Sequence, residues 1–326
     1  MEKIVIDIYG ADAGIGLVIS GVAKALKLGI DFFPVLVGDE SEITAAMKHQ
    51  GISAHRYEVI DTNKYITNND PPTAVFGGND DTSMVMAYSR LKKDNLCTAM
   101  LSPGNTGALL VGSICRLGLI SGLKFPALAS ALPTRGGGLV CLVDCGANTD
   151  CTPADLVRFA KMGNAFSSSY CGIKQPKVGL MSVGREKGKG NSLTRDTYKL
   201  LEETDLDFIG NVEGSDLLSG YADVIVTDGF SGNILLKNAE AVGKSAMEIV
   251  KDLGQGENTQ LINKIIDALF KAFDFNSQGG ATFLGPQKTV VKMHGSANED
   301  TVVSCIEQII RLNKGNFAQN VAEALK

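Results

Sequence analysis

Short apolar runs that each end in a glycine-asparagine turn constrain this chain more than any other feature. The turns are Ser102-Pro103-Gly104-Asn105-Thr106-Gly107, Cys145-Gly146-Ala147-Asn148-Thr149-Asp150, Gly188-Lys189-Gly190-Asn191, Gly210-Asn211-Val212-Glu213-Gly214 and Asp228-Gly229-Phe230-Ser231-Gly232-Asn233. A helix-like segment follows each. Continuous apolar runs mark strands buried on both faces, as in a parallel sheet covered by helices. Glycine permits positive φ and close approach of a ligand, while asparagine supplies a donor and an acceptor. Between a strand and a helix such a turn also presents backbone N–H groups where negative charge is favoured. Repeated in one chain, the device predicts a cleft of neutral donors, suited to phosphate and to a carbonyl becoming an oxyanion.

Strand candidates are Ile4–Ile8, Phe32–Val37, Thr98–Leu101, Ala127–Leu132, Leu139–Val143, Val178–Val183 and Val224–Thr227. Helix candidates fall between most of them: Leu17–Leu28, Ser83–Lys92, Ala108–Leu117, Pro153–Phe166, Leu193–Glu203 and Ile234–Val250. That alternation predicts a doubly wound α/β fold with a mostly parallel sheet, whose ligands bind at the carboxyl ends of the strands. The 326 residues fit one large unit or two coupled lobes, and no linker composition marks a boundary. From about Glu257, Leu261, Ile265, Leu269 and Phe273 recur every four residues, with Ile262, Ile266 and Phe270 beside them. This wide apolar helix face has three uses open to it: packing on the core, contact with a second subunit, or a membrane surface. Phe270, Phe273 and Phe275 beside Lys264 and Lys271 carry the third.

A formal charge of -5 argues against nucleic acid as a partner. No stretch of about 18 apolar residues is present to span a membrane. Met1–Asp7 enters a strand pattern at once, so no signal peptide is expected. The seven cysteines form no CxxC pair, and Cys141, Cys145 and Cys151 match no common zinc spacing, so reduced packing residues in a cytoplasmic protein are expected. Gly10, Gly14 and Gly16 miss the dinucleotide spacing, with Ile19 where the third glycine belongs. Lys189 breaks the Walker pattern after Gly184. Gly229-Phe230-Ser231-Gly232 lacks a hydrolase elbow's second glycine, and His294 alone could serve a serine triad.

The segments Ser102–Ala108, Pro133-Thr134-Arg135, Asp144–Asp150, Lys189-Gly190-Asn191, Phe208–Asp216, Ala222–Lys237, Gly279–Gly285 and His294-Gly295-Ser296 resemble, in this order, the phosphate acyltransferase family of bacterial phospholipid synthesis. The resemblance covers almost the whole chain. It implies a single domain over 1–326 with a C-terminal helical projection at about 240–275. The implied fold is a Rossmann-like α/β/α sandwich of the isocitrate and isopropylmalate dehydrogenase kind. The implied reaction joins inorganic phosphate to the acyl group of an acyl carrier protein thioester, without cofactor or metal. A cytoplasmic homodimer in weak peripheral contact with the membrane is also implied.

The residues make sense of that chemistry on their own. Phosphate is a competent nucleophile near neutral pH, so the protein must hold it in line and stabilise a tetrahedral oxyanion. Asn105, Thr106, Asn148 and Asn233 are the expected donors, with Arg135, Lys189 and Lys237 as cations for phosphate or the carrier's phosphopantetheine. His294 is expected to supply a proton to the leaving thiolate, or else only to hydrogen-bond locally. The catalytic set is Asn105, Asn233, Lys189 and His294. The substrate-binding set is Ser102, Gly104, Thr106, Arg135, Asn148, Asn191, Asn211, Asp228, Ser231 and Lys237. Asn105 and Asn211 have a capping role as their alternative, and Asp144 and Asp228 a loop-holding one.

Several positions depart from the family's pattern. Asp7-Ile8-Tyr9-Gly10-Ala11-Asp12 stands where the family has Asp-Ala-Met-Gly-Gly-Asp, and Phe76–Asp81 replaces a basic run. Pro103, Arg185 and Lys288 replace residues that are usually alanine, acidic and glycine. These departures leave open a sibling that makes a short acyl phosphate such as acetyl phosphate, and a non-catalytic binding homologue.

Overall fold

The computed structural model describes residues 2–253, 259–273 and 278–326, with residues 259, 270 and 271 described by backbone alone. In chain order the elements begin with β1 (Glu2–Asp7), α1 (Ile15–Lys27), β2 (Phe32–Gly38), α2 (Glu40–His49), β3 (Glu58–Asp61), α3 (Ser83–Lys93), β4 (Cys97–Ser102) and α4 (Thr106–Gly112). They continue with β5 (Ala127–Pro133), β6 (Leu139–Val143), α5 (Pro153–Phe166), β7 (Lys177–Met181), α6 (Ser192–Glu202), β8 (Asp207–Val212), β9 (Val224–Val226), α7 (Gly229–Leu253) and α8 (Thr259–Phe273). The last are β10 (Ala281–Leu284), β11 (Thr289–Lys292), α9 (Glu299–Lys314) and α10 (Phe317–Ala324). The fold is the expected doubly wound, mostly parallel α/β arrangement. The chain divides into two compact units, Met1–Pro126 with Gly279–Lys326, and Ala127–Gln278.

In the first unit the strands lie in the order β3-β2-β1-β4-β11-β10, parallel except for the β10–β11 hairpin. Ile4, Ile6 and Ile8 face α1 and α9 in one core with Val18, Val22, Leu36, Val302 and Ile306. Burying such side chains stabilises by about 1.5–3 kcal/mol each. Gly21 lets α1 meet α9, because a Cβ there would strike Val302. By strand alternation Val5 and Asp7 turn to the opposite face, where α3 packs. Lys288 closes α3: its ammonium donates to the carbonyls of Leu91 (2.6 Å), Asp94 (3.0 Å) and Cys97 (2.9 Å).

In the second unit the order is β5-β6-β9-β7-β8, with only β5–β6 antiparallel. α5 starts at a reciprocal cap between Thr152 and Asp155 with Pro153 in its first turn, a favourable helix start. α7 and α8 pack on each other, and Gly243 admits Phe273 between them. Phe273 is therefore partly spent inside the unit, whereas Leu261 and Ile265 of α8 and Val242, Ile249 and Leu253 of α7 stay exposed. Phe275, Glu257 and the side chains of Phe270 and Lys271 lie outside the described residues. Among the described residues no helix is long and apolar enough to cross a membrane.

Candidate active site

In the first unit the carboxyl ends of β1, β4 and β11 meet beneath the Ser102–Thr106 loop. Ser102 is fully buried: its hydroxyl donates to Asp7 Oδ2 at 2.8 Å and accepts the Gly104 N–H at 3.0 Å. That burial places Ser102 under the loop. Gly104 is buried too, and a Cβ on Gly10 (φ +111°) would lie 2.6 Å from its Cα. Asn105 caps α4 through Oδ1, which accepts from Ala108 N–H at 3.0 Å. Its Nδ2 donates to the carbonyls of Thr67, Asn68 and Asp70, at 3.0 Å for the last. Both ends of that amide are committed within the protein, as the capping alternative expects. Thr106, half-buried, opens α4 beside it. His294 is exposed, and its Nδ1 accepts the backbone N–H of Ser296 at 3.2 Å. That bond puts the proton of the neutral ring on Nε2.

In the second unit Asp144, at the end of β6, is completely buried and saturated by five donors. Oδ1 accepts the N–H groups of Leu128, Gly146 and Ala147, each at 3.0 Å. Oδ2 accepts the backbone N–H of Asn148 at 2.8 Å and its Nδ2 at 2.7 Å. Burial raises the Asp144 carboxyl above its ordinary range, and these bonds oppose the rise. Asp144 thus moulds the 145–148 loop, and the Asn148 amide is turned inward to it. Asp228 is also structural: its carboxylate accepts from Ser231 N–H and Ser231 Oγ, both at 2.8 Å, at the start of α7. The Asp228–Asn233 stretch is therefore the first turn of a helix, not a loop. Gly232 permits it, because any side chain there would collide with the Asp144 carbonyl. Asn233 is exposed beside Gly146, and its amide makes no side-chain hydrogen bond among the described residues. Lys237, one turn on, pairs with Glu240 at 2.8 Å.

The loop 183–191 beyond β7 is tied down on several sides. Arg185 pairs with the buried carboxylate of Asp216 and lies 4.8 Å over the Tyr221 ring. Lys187 pairs with Glu202 at 2.6 Å, and Arg195 donates to the Gly190 carbonyl at 2.6 Å. Asn191 caps α6 through Thr194 N–H at 2.9 Å. Asn211 sits inside β8, not in a turn; its Nδ2 holds the Glu186 carbonyl at 2.9 Å, while Oδ1 is buried without a partner. Lys189 is exposed and is the one cation of this loop with no ion pair among the described residues. Arg135 lines a pocket of about 230 Å³ with Leu217, Leu235 and Asn238.

A family model described as Fatty acid synthesis protein matches residues 2–320. The chain belongs to that family. It is 37% identical over 325 residues to a phosphate acyltransferase of Clostridioides difficile (strain 630), covering 98% of this chain and 95% of the relative. Among solved structures, a phosphotransacetylase from Streptococcus pyogenes superposes with a TM-score of 0.65 at 17% identity, over 96% of this chain and 94% of that one. A putative 4-hydroxythreonine-4-phosphate dehydrogenase from Salmonella typhimurium gives 0.52 at 13%, over 96% and 99%. At such identities these two likenesses establish the shared Rossmann-like fold alone.

Three residues of this fatty acid synthesis protein family member escape a sequence reading. Asp7 looks like an ordinary strand-end acid, yet burial pushes its carboxyl up to about 6, against the pull of the hydrogen bond from Ser102 and of the Lys292 charge. Lys292 donates to the carbonyls of Pro103 (2.9 Å) and Met293. Lys288 was visible only as a departure from the family. Burial also pushes the Cys145 thiol up to about 12, in keeping with an inert packing residue.

Proposed function

We propose that this chain transfers an acyl group from an acyl carrier protein thioester to inorganic phosphate. A phosphate oxygen bonds to the acyl carbon, the carbon–sulfur bond breaks, and acyl phosphate and the free carrier thiol leave. The exposed and unengaged Asn233 amide supports this reading most directly within a family whose curated relatives carry the name phosphate acyltransferase. Its Nδ2 serves as the neutral donor to the tetrahedral oxyanion, worth about 10²–10³ in turnover. Lys189 serves as the mobile cation for phosphate or the carrier's phosphopantetheine, joined by Arg135 and Lys237. Thr106 lines its donor loop through its backbone N–H, and Asn148, bonded to Asp144 through its own N–H and amide, shapes the 145–148 loop. His294, once protonated by the hydrogen phosphate whose oxygen attacks, returns that proton from Nε2 to the leaving thiolate. Asn105, Asn191, Asn211, Asp228 and Ser231 hold these loops in shape.

Incubating the protein with phosphate and a panel of acyl-carrier and acyl-coenzyme thioesters, and trapping the product with hydroxylamine, tests this. Hydroxamate without added nucleotide or metal is expected, and none at any chain length would leave only the binding homologue. A second reading, a short acyl phosphate, draws on the stacked Tyr9 and Tyr65 rings (centroids 4.5 Å apart), which add bulk where the family has a flexible methionine. The same panel separates the two by chain length.

The protein acts as a cytoplasmic homodimer with weak peripheral membrane contact. The exposed Val242, Ile249, Leu253, Leu261 and Ile265 support this, since apolar side chains on one helix pair gain by being covered. Replacing Leu261 and Ile265 with glutamate is expected to change sedimentation or abolish liposome flotation. Unchanged behaviour in both would remove these helices from either role.

A further inference from the structure

We propose that Lys292 is a positioning residue for acyl transfer, fixing the Ser102–Thr106 loop by gripping the Pro103–Gly104 peptide together with Ser102. This rests on the acyl-transfer reading above. β11 lies beside β4 with Lys292 in register with Ser102, so the lysine emerges directly under the loop. Its ammonium donates to the Pro103 carbonyl at 2.9 Å, while the N–H at the other end of the same peptide unit, that of Gly104, donates to Ser102 Oγ at 3.0 Å. A peptide group is planar, so holding its oxygen and its N–H leaves no freedom of rotation. Proline offers no N–H of its own, which makes that carbonyl the only backbone handle at position 103. Gly10 closes the remaining side, since even a methyl there would lie 3.0 Å from the Pro103 oxygen.

Asp7 completes the device. Its ionised carboxylate accepts the Ser102 hydroxyl hydrogen bond at 2.8 Å and so turns a hydroxyl lone pair towards Gly104 N–H. A protonated Asp7 would compete as a donor and disturb that orientation. Lys292 from β11 is the cation that favours the ionised form, while Tyr88 from α3 and Tyr9 from the loop after β1 are further titratable groups electrostatically coupled to it. Tyr9 donates its backbone N–H to Asp7 Oδ1 at 3.3 Å.

Two readouts test the proposal on Lys292→Met and Lys292→Arg in the full chain. In the hydroxylamine assay Lys292→Met is expected to lower kcat about ten- to a hundredfold, with KM for phosphate within about twofold. Its kcat–pH inflection should move up, because the cation facing Asp7 is gone, and Lys292→Arg should restore much of both. In hydrogen exchange followed by mass spectrometry, peptides covering 100–108 should exchange faster in Lys292→Met while peptides from β2 and α1 stay as they were. Faster exchange with unchanged kcat and inflection would make the lysine merely structural and overturn its part in the reaction. Unchanged exchange would overturn the positioning itself. If the unmodified protein forms no hydroxamate, the acyl-transfer reading fails and takes the catalytic part with it, and exchange alone then decides the grip on the loop.

Discussion

Ser102 gives its hydroxyl proton to the carboxylate of Asp7 across 2.8 Å, and both residues are sealed from solvent. Burial holds the Asp7 carboxyl at about 6, above its ordinary 3.8. Between pH 4 and 6 the folded protein therefore keeps a proton that the unfolded chain releases. Stability falls as pH rises through that window, by roughly 3 kcal/mol for a shift of this size. Asp7→Asn removes this contribution. Its urea midpoint should decline less between pH 4.5 and 6.5 than that of the unmodified protein, and equal declines would contradict the assignment.

Asn233 offers a clean separation of activity from stability. It is exposed and its side chain makes no hydrogen bond among the described residues, so Asn233→Ala should leave the melting temperature within about two degrees, as surface changes usually do. Turnover should drop by about ten- to a thousandfold, the range for losing an oxyanion donor. Full turnover in the variant would make the residue a bystander on α7.

Lys189 and Lys187 sit two residues apart and should behave differently. Lys187 is spent on Glu202 and the Tyr198 ring, while Lys189 has no such pairing among the described residues. Lys189→Ala is expected to raise KM for phosphate or carrier about tenfold, the loss of one charge-assisted contact, with a smaller effect on kcat. Lys187→Ala should keep both constants within about twofold, since exposed pairs contribute little. Equal effects from the two variants would show that general positive charge, not Lys189, is what matters.

Lys288 bridges three main-chain carbonyls, and its loss is expected to affect stability but not turnover. Lys288→Met would leave the Leu91, Asp94 and Cys97 carbonyls without their shared donor, at a cost of about 1–3 kcal/mol. Urea denaturation should register that loss, while KM and kcat of the surviving folded protein stay unchanged. An unaltered midpoint would mean that water replaces the ammonium without cost.

The legible parts of the fold were those written in local pattern. β6 is an uninterrupted apolar run, and α5 carries its own start signals in Thr152, Pro153 and Asp155. β8 was lost because Gly210 and Asn211 imitate a turn, although backbone pairing with β7 carries them as strand. β11 is only four residues long and ends in a lysine, so its apolar signal is slight. The site divides in the same way. Asn233 and Lys189 are candidates that their turns alone suggest. The structural duties of Ser102, Asn105 and Asn148 depend on partners such as Asp7, Asp70 and Asp144, whose geometry no spacing rule supplies. Asp7 and Ser102 are 95 positions apart, and only the parallel pairing of β1 with β4 makes them neighbours.

α7 runs without interruption for 25 residues from Gly229 to Leu253, a rod of about 37 Å. Asn233 rides on its first turn, and Ile249 and Leu253 lie bare at the other end. The first turn is wedged against the Asp144 carbonyl through Gly232, which makes that end a fulcrum. Whatever grips the far end holds a lever arm: a tilt of about 5° there sweeps the tip through about 3 Å, given the helical rise, but shifts Asn233 by only a few tenths of an ångström. The amide is thus mechanically insulated from the surface that meets the outside world, and a partner can load that surface without detuning the donor.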